Sequence, residues 1–195
     1  MERTCAINRV TKETSISLTL DIDGKGVSNI ETGIGFFDHM LTAFSKHGFF
    51  DLILQVKGDV EVDGHHTVED CGIALGQAIK AAVGDKKGIA RYGNFTLPMD
   101  EVLVLCAVDL SGRPYLGMDA EFTVDRVGEF DTELVREFFY AVSYSAEMNI
   151  HFKMLSAGNN HHMIECMFKS FAIALDKATQ KDARIDDVLS TKGSL

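Results

Sequence analysis

The pattern His-His-x-x-Glu occurs twice in this 195-residue chain, as His65-His66-Thr67-Val68-Glu69 and as His161-His162-Met163-Ile164-Glu165. Each copy opens an apolar run at helical spacing. Four of the seven histidines sit in these two pairs. A shift of 96 positions superposes them and carries Leu75 onto Phe171, Ala78 onto Ala174, Ile79 onto Leu175 and Ala82 onto Ala178. The apolar face of a helix thus repeats together with its polar start, which points to an internal duplication. Whatever fold the chain adopts must be assembled from two similar units. Outside this block the similarity between the halves is weak.

Each half reads as α+β, a small and mainly antiparallel four-stranded sheet covered by two helices. Residues 13–22 alternate strictly, with Ile16, Leu18, Leu20 and Ile22 on one face, as in a half-buried strand. Asp23-Gly24 predicts a hairpin turn, with residues 27–32 as the return strand. After Gly33 and Gly35, Phe37, Met40, Leu41 and Phe44 recur at helical spacing, and His39 falls off that stripe. Gly48 ends this helix, residues 51–56 form a strand and residues 57–64 a turn. The first His-His pair then opens a helix running to Gly84. In the second half, residues 102–110 form a buried strand, 111–114 a turn, 115–124 a strand, 134–148 a helix and 150–155 a strand. After a turn at 157–160, the second His-His pair opens the last helix, to Thr179. The expected organisation is a first half-repeat at 1–90, a second at 91–180, and a polar, mobile tail at 181–195.

Composition narrows the function classes. Hydrophobic content of 46% and charged content of 25% are ordinary for a globular protein. No apolar run is long enough to cross a bilayer, and residues 1–4 lead into a strand-like pattern without a secretory apolar region. The net charge of −10 disfavours general affinity for nucleic acid, and an anionic ligand would need a local basic pocket. Cys5, Cys71, Cys106 and Cys166 lack Cys-x-x-Cys spacing and lie in apolar surroundings, as reduced core thiols of a cytoplasmic protein would.

The repeated motif suits metal binding. Residues i and i+4 of a helix share a face about 6 Å apart in rise, so His65 with Glu69, and His161 with Glu165, could each hold one ion. Adjacent residues diverge by about 100°, so each His-His pair more naturally serves two ions. Four imidazoles and two carboxylates suit Mn, Fe, Zn, Co or Ni better than Mg or Ca. The order matches neither the His-Glu-x-x-His of zincins nor the Glu-x-x-His of di-iron bundles. A lone His-His at a helix start is usually only a polar start; its recurrence in both halves favours a site.

Five segments carry a more specific resemblance. Arg9-Val10-Thr11-Lys12-Glu13-Thr14, Gly35-Phe36-Phe37-Asp38-His39-Met40, Gly64-His65-His66-Thr67-Val68-Glu69-Asp70, Asn159-Asn160-His161-His162-Met163-Ile164-Glu165 and Ser190-Thr191-Lys192-Gly193 resemble the imidazoleglycerol-phosphate dehydratases, in order and over essentially the whole chain. The resemblance implies a duplicated fold like that of ribosomal protein S5 domain 2, and dehydration of imidazole glycerol phosphate to imidazole acetol phosphate in histidine biosynthesis. It also implies two Mn2+ ions per active site and a homo-oligomeric shell of twenty-four subunits with active sites between them. One ion would fall on His39, His66, His161 and Glu165. The other would fall on His65, Glu69, His162 and a residue of the helix beginning near Leu134, where many family members have His and this chain has Glu137. Carboxylate can replace imidazole on Mn2+. His151 is then expected to be a buried structural histidine near the site.

The same resemblance places the acid–base group at Glu13 and the phosphate side at Arg91, Arg113, Lys169, Ser190, Thr191, Lys192 and Gly193. His47 stands as a further candidate near the ligand. The substrate side of the site would therefore comprise these groups together with His39, His65, Glu69 and His161. The tail is expected to order over the substrate as a lid. The reaction removes a carbon-bound proton that no adjacent carbonyl activates. Two ions around the substrate's own imidazole would act as Lewis acids and template. Two rival readings remain: a dinuclear metallohydrolase acting on a phosphorylated small molecule, and a non-catalytic metal-binding cage.

Overall fold

A computed structural model describes residues 3–195, so the first two residues of the predicted first half lie outside the described chain. The first half runs β1 (Thr4–Val10), β2 (Thr14–Asp21), β3 (Ser28–Glu31), α1 (Gly35–Gly48), β4 (Asp51–Gly58) and α2 (His65–Val83). The second runs β5 (Tyr92–Met99), β6 (Val102–Asp109), β7 (Tyr115–Asp119), a short hairpin of β8 (Arg126–Val127) and β9 (Phe130–Asp131), α3 (Leu134–Ala146), β10 (Asn149–Ser156) and α4 (Asn160–Thr179).

The two sheets have one topology. Their orders are β1-β2-β4-β3 and β5-β6-β10-β7, each antiparallel except for a parallel edge strand. The expected α+β duplication is therefore the observed fold. The expected hairpin from β2 to β3 is not. β2 pairs with β4, and β3 lies on the far side of β4, parallel to it. The cause is local: the Asp51 carboxylate accepts the backbone N–H groups of Lys25 and Val27, each at 2.8 Å, and draws the segment after the Asp23-Gly24 turn onto the start of β4. Alternation signalled a strand but could not say which neighbour it takes. The strand expected at 115–124 stops at Asp119, and β5 and the β8–β9 hairpin carried too weak a pattern to be anticipated.

Four helices lie between the two sheets. α2 rests on β1 and β2, and α4 on β5 and β6. The helices pair across the halves, α2 with α3 and α1 with α4. One apolar core results, running through Phe37, Phe44, Phe130, Phe138, Phe168 and Phe171. The α2–α3 contact depends on two glycines on one face of α2. A Cβ on Gly72 would stand 2.8 Å from the Phe138 carbonyl oxygen, and one on Gly76 would stand 2.7 Å from that of Val142.

The duplication also explains its own faintness. Thr14 to Val102 spans 88 positions, Asp51 to Asn149 spans 98, and His65 to His161 spans 96. The β8–β9 hairpin is inserted between β7 and α3, so no single offset aligns both sheets and both helices.

Candidate metal centre and acid–base groups

Packing of α1 on α4 brings His39, near the start of one helix, to the first turn of the other. The buried Glu165 carboxylate is their meeting point. Its Oε2 lies 3.1 Å from His161 Nε2 and 3.5 Å from His39 Nε2, and its Oε1 lies 2.6 Å from Lys169 Nζ. One donor atom each from His39, His161 and Glu165 falls within 4.8 Å of the others, as a shared ion requires. His161 and Glu165 meet as the i, i+4 spacing predicted, and Lys169 joins the same face one turn later. Burial pushes the Glu165 carboxyl up, but the Lys169 ammonium and then the two imidazoles outweigh it, and the net shift is down, towards the charged form.

The second histidine of each pair goes elsewhere. His65 and His66 have ring centroids 6.3 Å apart at 85°, and His161 and His162 6.2 Å apart at 82°. Each pair is splayed, as neighbouring helical positions must be. His66 Nδ1 lies 2.9 Å from the Asp59 carboxylate, which raises the imidazole's pKa, and its Nε2 lies 3.8 Å from Glu13 Oε1. His162 Nδ1 lies 3.2 Å from Glu101 Oε2 and 4.0 Å from Asp100 Oδ2, and these three form a second cluster able to hold an ion. Among the described residues, no ion pair or side-chain hydrogen bond engages the side chains of His65, Glu69 or Glu137. One chain thus gathers three of the four donors expected for one ion. It leaves His66, and the set of His65, Glu69, Glu137 and His162, dispersed.

The expected phosphate-side residues divide as well. Arg91, Arg113, Ser190, Thr191 and Lys192 line one cavity of about 710 Å³, closed on one side by the tail, and Gly193 lies within the same segment. The buried Arg91 guanidinium donates to the Asp109 carboxylate at 2.7 Å and 3.3 Å and to the Leu189 carbonyl at 2.7 Å. The tail expected to be loose is bonded to the body at Arg91 and Gly88. Lys169 and His47 stand instead beside Glu165. Burial, followed by the Lys169 charge, lowers the His47 pKa. His151, expected to be buried, is exposed and stacks on Tyr115 at 5.1 Å. In the alternation of β10, Ile150 and Phe152 take the inward positions and His151 faces out.

Several polar residues around the site escaped sequence reasoning. Asp70 is buried on α2 and accepts from the Arg9 guanidinium at 2.7 Å and from the Thr14 hydroxyl, which fixes the β1–β2 turn carrying Glu13. Glu101 occupies the matching β5–β6 turn of the other half. The 96-position offset of the histidine motif pairs neither. The signal that would have found Glu101 is its place in the first hairpin of its half, where Glu13 sits in the other. Three of the four cysteines are buried, with Cys5 only half-buried, and burial pushes the Cys166 thiol up to about 11.

Two α+β repeats, each opening its last helix with a histidine pair over an i+4 glutamate, define a class of duplicated chain with imidazole and carboxylate donors at the helix starts. The family model for imidazoleglycerol-phosphate dehydratase matches residues 32–175. Over the full length of both chains, the sequence is 63% identical to the imidazoleglycerol-phosphate dehydratase of Lachnoclostridium phytofermentans and 59% identical to that of Acetivibrio thermocellus. Among solved structures, the Staphylococcus aureus enzyme superposes with a TM-score of 0.84 at 40% identity, covering 92% of this chain and 99% of that one. The Pyrococcus furiosus enzyme, solved with (S)-C348, gives 0.84 at 36% identity, covering 97% of this chain and 100% of that one. This chain belongs to the imidazoleglycerol-phosphate dehydratase family, whose members are carbon–oxygen lyases. None of its described helices is long and apolar enough to cross a membrane.

Proposed function

We propose that the chain dehydrates imidazole glycerol phosphate to imidazole acetol phosphate, in histidine biosynthesis, with two Mn2+ ions per active site. The observation that carries the reading is the cluster of His39, His161 and Glu165, with donor atoms within 4.8 Å of one another. Its two imidazoles and one buried carboxylate fit Mn2+. In this reading His66 from another copy completes that set, and His65, Glu69, Glu137 and His162 hold the second ion. The dispersal of these residues within one chain supports sites shared between subunits; the twenty-four-subunit shell and the cytoplasmic location belong to the same reading through the family resemblance.

When bound, the ions supply Lewis acidity towards the substrate's imidazole ring. The chain's own residues do the rest. Glu13, exposed on its turn, takes the proton from the carbon whose hydroxyl becomes the ketone oxygen. The hydroxyl next to the ring takes up one proton and departs as water, which balances the proton held by Glu13, and the enol left behind becomes the ketone by moving its hydroxyl proton to the carbon next to the ring. Asp70 holds the Glu13 turn in place through Thr14. Arg91, Arg113 and the residues 190–193 take the phosphate, with the tail as lid, while Lys169 and His47 flank the metal-side face. A metallohydrolase would instead need an open position for an activated water, where this reading would need room for a flat ring.

The test is a turnover assay with and without chelator, together with Glu13→Gln. Ketone formation from the phosphorylated imidazole diol is expected, lost in Glu13→Gln with metal content intact and lost with chelator together with a change in oligomer size. A chelated monomer with full activity, or Glu13→Gln with wild-type turnover, sinks the proposal.

A further inference from the structure

The two halves place a glutamate in the same position, the turn of their first hairpin, beside the second histidine of their pair. The two have been put to different uses. Glu13 Oε1 stands 3.8 Å from His66 Nε2, and the Nδ1 of that ring is already held by Asp59. Nothing else engages the Glu13 carboxylate among the described residues. Glu101, by contrast, is committed at both oxygens. Its Oε1 accepts the Asn159 backbone N–H at 2.6 Å, and its Oε2 faces His162 Nδ1 at 3.2 Å. Its own carbonyl accepts the Ser156 hydroxyl at 2.8 Å, and a Cβ on Gly158 would stand 2.2 Å from Glu101 Cγ. The β5–β6 turn is thus clamped to the loop that leads into α4, whose first turn is capped by the Asn159 side chain.

We infer that Glu101 is a positioning residue that fixes the tautomer and direction of His162. A carboxylate can only accept, so His162 Nδ1 must donate the hydrogen of this bond. The lone pair of the ring is then confined to Nε2, so an ion on His162 binds there and not among Asp100, Glu101 and Nδ1. A histidine held in this way enters a metal's coordination sphere in one orientation, without sampling the other tautomer. In the first half Asp59 performs this service for His66. That leaves Glu13 free for proton transfer, and in the second half Glu101 has taken both the turn position and the service. The inference rests on the proposed role of His162 as a metal ligand.

The isosteric Glu101→Gln separates this from a purely structural clamp. Gln can still accept from the Asn159 N–H, but its amide then presents N–H to His162 Nδ1. The ring must answer with a lone pair there and move its hydrogen to Nε2. Equilibrium dialysis against Mn2+ with elemental analysis, on wild type, Glu101→Gln and His162→Asn, reads the result. In Glu101→Gln the affinity for one of the two ions is expected to fall roughly 10- to 100-fold, with the other ion and the melting temperature of the metal-free protein unchanged. His162→Asn is expected to lose that same ion. Wild-type binding of both ions by Glu101→Gln while His162→Asn loses one overturns the inference alone. If His162→Asn keeps both ions, the ligand assignment falls and takes the inference with it. Magic-angle-spinning spectra of the metal-free wild type labelled with 15N-histidine give a check independent of how Glu101→Gln folds. His162, identified by its absence in His162→Asn, should be the Nδ1–H tautomer, and an Nε2–H tautomer overturns the proposal.

Discussion

The Thr14 hydroxyl donates to the buried carboxylate of Asp70, and this bond fixes the turn carrying Glu13 to the helix carrying His65, His66 and Glu69. Arg9 completes the arrangement by pairing with the same carboxylate at 2.7 Å. Asp70→Ala would leave the Thr14 hydroxyl with Thr11 Oγ1, at 3.2 Å, as its one side-chain partner and Arg9 without its counter-charge. Breaking such a pair by removing one partner costs about 3 kcal/mol, which urea or guanidinium unfolding will register. The same variant should lose turnover beyond what its stability loss explains, because Glu13 is no longer held. Asp70→Asn, which keeps an acceptor towards Arg9, is expected to fall between the two. Turnover in Asp70→Ala equal to wild type at a temperature where the variant is folded would show that the turn needs no such anchor.

The α2–α3 contact makes a prediction of a different kind. Gly76 lets the backbone of α2 approach the Val142 carbonyl so closely that a Cβ would stand 2.7 Å from it. Backbone cannot yield as a flexible side chain can. Gly76→Val should therefore destabilise the chain by about 1–3 kcal/mol or more, seen as a lower denaturation midpoint. It should also shift α2, and with it the His65-His66 start, relative to the second half. An unchanged midpoint would mean that the helices have room to part.

How much of this was legible in the sequence differs from element to element. The helices were, because Phe37, Met40, Leu41 and Phe44 bury one face of α1 and show it as period. The meeting of His161, Glu165 and Lys169 was, because i+4 spacing on a helix dictates it. The position of β3 was not, since its side of β4 is chosen by the Asp51 carboxylate and not by any alternation in β3 itself. Nor were Asp59, Glu101 and Asp70, which lie in turns or on the buried side of a helix and acquire their roles only from what the fold sets beside them. The exposure of His151 follows from strand register, and a one-residue shift in register would have reversed it.

Lys169 and His47 lend themselves to a titration. Burial lowers the His47 pKa, and the Lys169 charge lowers it further, while Glu165 opposes both. Its folded value is therefore below the unfolded one, near 6.5. The unfolded chain then binds more protons, so this residue subtracts stability as pH falls through the unfolded value and subtracts nothing well above it. In the metal-free protein, the His47 NMR titration should have its midpoint below that of a free histidine. Lys169→Met should raise it without restoring the free value, since burial remains. A midpoint that does not move in Lys169→Met would remove Lys169 from the surroundings of His47.

Arg91 is where the tail and the body meet, and its geometry allows a sharp distinction between charge and shape. The guanidinium reaches both oxygens of Asp109 and the Leu189 carbonyl together, and it lies over the Tyr92 ring at 4.6 Å. A lysine keeps the charge but is a single point donor that cannot hold the acid and the carbonyl at once. In Arg91→Lys the link to Leu189 should fail first, loosening the segment that carries Ser190, Thr191 and Lys192. Trypsin should then cut more readily at Arg184 and Lys192. Loss of a hydrogen bond from a charged donor corresponds to roughly a tenfold change in affinity or more. KM for the proposed phosphorylated substrate should rise by about that factor, with a smaller change in kcat, because Glu13, the proposed proton acceptor, is not among the groups Arg91 holds. Equal fractional losses in kcat and in kcat/KM, with no change in cleavage, would instead place Arg91 among the groups that act only in the transition state.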